Sequence, residues 1–271
     1  MSPLSQWPEA DRRQITGVFT DIDDTLTTDG VVPPSTVQAL ADLKAAGLHV
    51  IPITGRPVGW SEPFARDWPV DAIVAENGAV ALTTSPIGLQ PAPALRGALS
   101  KLYQQSDAVR AANFARMQQV AQRVLSDVPG ARLARDSAGR ETDIAIDHSE
   151  FAHLTPAQVE AVVRTMQAEG MTATVSSIHI NGWYGDHNKL DGARWIVRTL
   201  LGRALDAELQ RWVYVGDSTN DQLMFEHFPH SVGVANIRRF EAQLTHKPRY
   251  ITLGERGEGF AEVARAVLAA R

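Results

Sequence analysis

The stretch ITGVFTDIDDT, residues 15–25, runs from an apolar, β-rich segment straight into three aspartates within four positions. Ile15 to Thr20 read as a short buried strand. Asp21, Asp23 and Asp24 at its end repel one another unless something cationic neutralises them. What that cation is, and what it serves, has to come from the rest of the chain.

Outward from this strand the pattern is regular. PPSTVQALADLKAAG carries prolines where a first helical turn tolerates them, and Val37, Leu40 and Leu43 lie three apart before the stop at Gly47. LHVIPIT (48–54) reads as a second strand, a helix is expected over much of 58–67, and DAIVAENG (71–78) as a third strand ending in a turn. This βαβαβ order predicts a parallel sheet covered by helices. Residues 83–98 are proline-rich and weakly periodic, which reads as a linker. Beyond it a helix is expected at about 107–127, strands at TDIAID, TATVS and IHIN, and an amphipathic helix over 155–170. The parallel rhythm returns at 188 with a helix bearing Leu190, Ala193, Val197 and Leu201, then the strand RWVYVGD (211–217), SVGVAN, RYITLG and a last helix. The expected organisation is an α/β, Rossmann-like core of residues 1–82 and 187–271, interrupted by an α+β insert at 83–186.

Composition narrows the function. The chain has 271 residues, 44% of them hydrophobic and 21% charged, as in an ordinary globular protein. A formal charge of −5 argues against a nucleic-acid surface, and no apolar run reaches the length of a membrane span. With no cysteine, disulfides and thiolate metal sites are excluded. The opening residues show no apolar signal segment, so a cytoplasmic protein is expected. Of 26 basic residues only Lys44, Lys101, Lys189 and Lys247 are lysines.

Four features fall at strand ends or helix starts: Asp21 to Thr25, Thr54-Gly55-Arg56, Lys189, and Gly216-Asp217-Ser218-Thr219-Asn220-Asp221. In an open parallel sheet the strand carboxyl ends border the ligand crevice, so these distant segments are expected to converge. Asp21, Asp23, Asp217 and Asp221 are hard oxygen ligands that suit Mg²⁺. Thr54, through its hydroxyl and N–H, and Lys189, through a compact charge, suit a phosphoryl group. The site reads as phosphoryl transfer.

DIDDT, ITGR, the isolated lysine and GDSTND, in that order, resemble the four motifs of haloacid dehalogenase (HAD) superfamily phosphatases. An insert between the second and third motifs, with ENGA (76–79) and GDSTNDQLMF (216–225), resembles subfamily IIB, whose members carry a C2-type cap. The resemblance implies a Mg²⁺-dependent phosphatase acting on a small phosphorylated metabolite, expected to be a sugar or polyol phosphate, through an aspartyl-phosphate. It implies Asp21 as nucleophile and Asp23 as acid and base. Asp21, the Asp23 carbonyl and Asp217 would hold the metal, with Asp221 beside them. Thr54, Gly55 and Lys189 would bind phosphoryl oxygens, and Asn220 would orient Lys189 or a metal-bound water. A phosphosugar mutase and, from another class, a phospho-signalling module are the alternatives. Many relatives have glycine at the place of Asp24; an extra carboxylate there could tune the metal or be an exposed turn residue, and the second reading is preferred, with Arg56 read as ordering its own loop.

Substrate choice is expected in the cap. His179 and Asn181 share one face of the IHIN strand, offering hydrogen bonds to a sugar beside Trp183 or Tyr184, or else an exposed polar face. Arg135, Glu141 and Asp143 are weaker candidates, read as structural. His148, His187 and His227 lack metal-ligand spacing and are taken as ordinary polar residues.

Overall fold

The computed structural model describes residues 1–84 and 98–271. The chain opens with β1 (Ser2–Pro3) and α1 (Glu9–Gln14), followed by β2 (Gly17–Thr20), α2 (Pro34–Ala45), β3 (His49–Pro52), α3 (Val58–Asp67) and β4 (Ile73–Ala75). A hairpin-like pair, β5 (Val80–Thr83) and β6 (Ser100–Tyr103), leads into the insert. The insert contains α4 (Asp107–Asp127), β7 (Arg132–Leu133), β8 (Ile144–Asp147), α5 (Pro156–Ala168), β9 (Thr172–Val175) and β10 (His179–Trp183). The chain then returns with α6 (Lys189–Leu201), β11 (Trp212–Gly216), α7 (Gln222–His227), β12 (His230–Gly233), β13 (Tyr250–Ile251) and α8 (Arg256–Leu268).

The main sheet is parallel, in the order β1-β13-β12-β11-β2-β3. Alternation along its strands divides the core. Val18, Val50, Val213 and Val215 join the apolar layer under α2 and α8, while Phe19, Ile51, Trp212 and Tyr214 join the layer under α6 and α7. Both faces are covered, which is why the strands read as continuous apolar runs. The insert has its own core, in which Met117, Val124, Val162 and Met166 pack on Ile144, Ile146 and Ile180 of the sheet β7-β8-β10-β9.

One boundary differs from the sequence reading. The insert was expected from 83, yet β6 pairs with β5, and β5 with β4, so residues 100–103 belong to the sheet of the first unit. Strand pairing across an intervening segment leaves no local periodicity to read. Of the expected linker, residues 85–97 lie outside the described residues. Among the described residues no helix is long and apolar enough to cross a membrane.

Two glycine contacts mark close backbone approaches, one within the core and one between core and insert. On Gly192 in α6 an added Cβ would come within 2.6 Å of Gly78 Cα, so α6 rests directly on the ENG turn. On Gly59 in α3 it would come within 2.9 Å of Gly139 Cα in the insert. Helix propensity alone favours alanine over glycine inside a helix by about 1 kcal/mol. Gly192→Ala is nevertheless expected to lower stability by about 1–3 kcal/mol, because backbone must shift to admit the methyl. Urea unfolding decides the sign.

Candidate active site

β2 delivers Asp21 and Asp23, and β11 delivers Asp217, to one end of the sheet. The Asp21 N–H donates to Val215 O at 2.8 Å, so the β2–β11 pairing continues into the acidic turn. The Ile22 carbonyl accepts from the N–H groups of Thr25, Leu26 and Thr27, which coils the chain tightly past Asp23. Asp21, Asp217 and Asp221 are 4%, 1% and 0% exposed, with carboxylate oxygens within 4.8 Å of one another.

Lys189 is the first residue of α6, behind Asn188, whose side chain accepts from the Asp191 N–H. Its ammonium donates to Asp21 Oδ1 and to Asp221 Oδ1, both at 2.7 Å. Asp221 also accepts from the Tyr214 hydroxyl and from the N–H groups of Asp217 and Ser218. Burial and the neighbouring carboxylates push the Asp21 carboxyl up to about 7, although Lys189 pulls the other way. Burial, Asp21 and Asp221 push Asp217 well above the ordinary carboxylate range. Burial disfavours the Lys189 charge, but Asp21 and Asp221 outweigh it and raise its pKa.

Three buried carboxylates surround one ammonium, which hydrogen-bonds only two of them, so the balance is incomplete. Asp217 Oδ2 accepts from Asn236 Nδ2 at 3.1 Å, while Asp217 Oδ1 is buried with no partner. A buried, unpaired carboxylate oxygen among hard oxygen donors fits a small divalent cation.

The other expected residues fall as follows. Thr54 lies at the end of β3, but its N–H donates to Val74 O, so the expected pair of donors reduces to the hydroxyl, which accepts from the Arg56 N–H. The Gly55 carbonyl is held by Arg140 and Asn181. Asn220 does not orient Lys189: its side-chain oxygen accepts from Ser218 Oγ at 2.9 Å, and the Lys189 partners are Asp21 and Asp221. Asn220 sits one residue before the acidic anchor Asp221.

Arg56 reaches beyond its loop. Nε donates to both oxygens of Asp23, at 2.8 and 3.0 Å, while Nη1 and Nη2 reach Asp136 and Glu150 of the cap. One guanidinium thus ties Asp23 to the closed cap.

The cap candidates require correction. His179 and Asn181 do share a face, but it is neither exposed nor open to a sugar. Asn181 Nδ2 donates to Asp143 at 2.8 Å and to Gly55 O at 3.3 Å, and His179 Nε2 meets Glu150 at 2.9 Å. Trp183 and Tyr184 sit in the cap's own core. Glu141 accepts from Lys101 and Tyr103, Asp143 pairs with Arg140, and Arg135 stacks on Phe151. His187 is buried against Trp183, and His227 meets the Leu223 carbonyl. His148, by contrast, lines the cavity.

That cavity, of about 580 Å³, lies between cap and core next to Asp23 and Arg56. Asp24, Ser177 and Arg256 also face it. Asp24 is therefore not an exposed turn residue: its side chain is 17% exposed and lies 3.1 Å from Arg256.

Sequence reasoning assigns no role to Asn236, and none to Glu76 beyond its place in the ENGA motif. Glu76 is fully buried and accepts from the N–H groups of Val58, Glu141 and Thr142, pinning the cap's 141–142 segment to the start of α3. Its partners lie up to 66 residues away, beyond the reach of any spacing rule.

Residues 18–88 match a family model described as haloacid dehalogenase-like hydrolase. A search of curated proteins returns no match. Among solved structures, a HAD/COF-like hydrolase from Plasmodium vivax is 16% identical, with TM-score 0.68 over 97% of this chain and 100% of that one. The protein Thermoplasma acidophilum 0175 is 15% identical, with TM-score 0.66 over 94% and 98%. The sucrose-phosphatase of Synechocystis sp. PCC6803, solved with sucrose and phosphate, is 12% identical, with TM-score 0.63 over 94% and 98%. The HAD resemblance drawn from the motifs is thus borne out, in the family match over residues 18–88 and in the fold along most of the chain.

Burial and Asp143 push the Glu76 carboxyl from 4.5 up to about 7. Between those values the folded chain keeps a proton that the unfolded chain releases, so stability is expected to fall as pH rises from 4.5 to 7, by up to about 3 kcal/mol. Glu76→Gln should flatten this slope in urea titrations across that window, whatever its absolute stability. An equal slope in wild type and variant contradicts the assignment.

Proposed function

We propose that the chain is a phosphoric monoester hydrolase that cleaves a small phosphorylated metabolite, a sugar or polyol phosphate, through an aspartyl-phosphate. The observation that carries this reading is the Lys189 ammonium between the Asp21 and Asp221 carboxylates, close to Asp23, which lines a cavity between cap and core.

In this reading the Asp21 carboxylate attacks phosphorus, and the bond to the leaving alcohol breaks. Splitting the displacement in two lowers each barrier. Lys189 and the Thr54 hydroxyl hold the phosphoryl oxygens as charge redistributes. Asp23, as the acid, donates a proton to the departing alcohol oxygen; its carboxylate then takes a proton from the water whose oxygen attacks phosphorus as the Asp21–phosphorus bond breaks, which restores the Asp21 carboxylate and the Asp23 acid. Arg56 holds Asp23 by both carboxylate oxygens and so fixes its direction towards the cavity. Mg²⁺, held by Asp21, Asp217 and the Asp23 carbonyl with Asp221 behind them, would neutralise charge on the attacking carboxylate and the phosphoryl oxygens. The cap keeps bulk water from the intermediate. Phosphate moving between positions of one sugar, rather than accumulating free, would mark a mutase instead.

Release of inorganic phosphate from a panel of sugar and polyol phosphates is expected to require Mg²⁺, to cease with a chelator and to be lost in Asp21→Asn. Asp23→Asn should retain Mg²⁺ binding while kcat falls by about 10²–10⁴-fold, the range of general acid–base catalysis. Undiminished turnover in Asp21→Asn defeats the reading.

A further inference from the structure

Two residues in the cavity wall hold a backbone conformation that side chains resist. Asp24 has φ 55° and Arg256 has φ 54°, the left-handed region in which glycine alone is free of steric penalty. Such strain persists where the surroundings over-determine it, and it gathers at functional sites. Here the two strained residues are each other's partners, with Arg256 Nε 3.1 Å from Asp24 Oδ1. One buried amide ties their backbones as well: Asn236 Nδ2 donates to Asp24 O at 3.0 Å, and Asn236 Oδ1 accepts from the Arg256 N–H at 2.9 Å. The same Asn236 holds Asp217. The pair is therefore tied to Asp217 through one side chain.

Unused hydrogen-bonding capacity remains along this wall. Arg256 Nε is buried, and its contact with Asp24 is not aligned as a hydrogen bond. Ser177 Oγ, on the cap, acts on the Asp24 charge but has no well-formed partner. A ligand hydroxyl both donates and accepts, so adjacent hydroxyls can donate to Asp24 while accepting from Arg256 and Ser177. A carboxylate or second phosphate only accepts, and would stand against Asp24 and against Asp29, which is 2.5 Å from Arg256 Nη1. Arg239 also lines the cavity, but it shares its charge with Glu255 at 3.6 Å.

We propose that Asp24 and Arg256, with Ser177 of the cap, are the specificity-determining residues for the leaving group. They read adjacent hydroxyls of a neutral polyol or sugar and disfavour leaving groups that carry an acid of their own. The inference rests on the phosphatase reading of the same site.

Three phosphate esters of one chain length test it: glucitol 6-phosphate, hexyl phosphate and 6-phosphogluconate. Wild type is expected to show the highest kcat/KM with glucitol 6-phosphate. Asp24→Gly takes φ 55° without strain, so it folds with a Tm at or near that of wild type. In that variant the glucitol-to-hexyl ratio of kcat/KM is expected to fall at least tenfold, and Asp24→Asn, which keeps an acceptor oxygen, to recover part of it. An unchanged ratio in Asp24→Gly, or a wild-type preference for 6-phosphogluconate, overturns this inference and leaves the phosphatase reading standing. Failure of wild type to release phosphate from any ester overturns both.

Discussion

The buried Lys189 ammonium, donating to Asp21 and Asp221 at 2.7 Å each, is the interaction on which the remaining geometry depends. Removing charges from water costs several kcal/mol per ion unless partners and hydrogen bonds replace the lost hydration. The fold meets this requirement from four directions. β2 and β11 bring the carboxylates together, and α6 sets the ammonium at its first residue. The Tyr214 hydroxyl and two backbone N–H groups take up the rest of Asp221. The close approach of Gly78 and Gly192 lets α6 rest low enough for Lys189 to reach in. One ammonium still leaves a surplus of negative charge, concentrated where Asp217 Oδ1 has no partner.

The seam between cap and core is polar. Arg56 joins Asp23 to Asp136 and Glu150, Arg140 and Asn181 hold the Gly55 carbonyl, and Thr219 Oγ donates to Val175 O. Water can replace each of these partners, so such a seam separates at far lower cost than an apolar one of equal area. The carboxylates of the cap and that of Asp23 share one guanidinium, so the residue that seats the cap is also the one that holds Asp23.

Asp21, Asp23, Asp217 and Lys189 were legible in the sequence because strand ends in a parallel sheet must converge and because hard oxygen ligands and an isolated lysine have few other uses there. The alternation of His179 and Asn181 was legible too, but not what covers their face, since the covering groups Gly55 and Glu150 come from distant segments. β6 was hidden for the same reason: its partner is chosen by pairing, not by its own pattern. Asp24 was misread because residue type does not reveal a left-handed φ, nor a partner as far along the chain as Arg256. Non-local pairing and backbone strain are what the sequence withheld.

The central claim is that a phosphoryl group passes through Asp21. Borohydride reduces an acyl phosphate and converts the phosphorylated aspartate to homoserine, which peptide mass spectrometry locates. During steady turnover of a hydrolysed ester, homoserine is expected at position 21. Its appearance at another aspartate, or its absence from every peptide while phosphate is being released, would contradict the account.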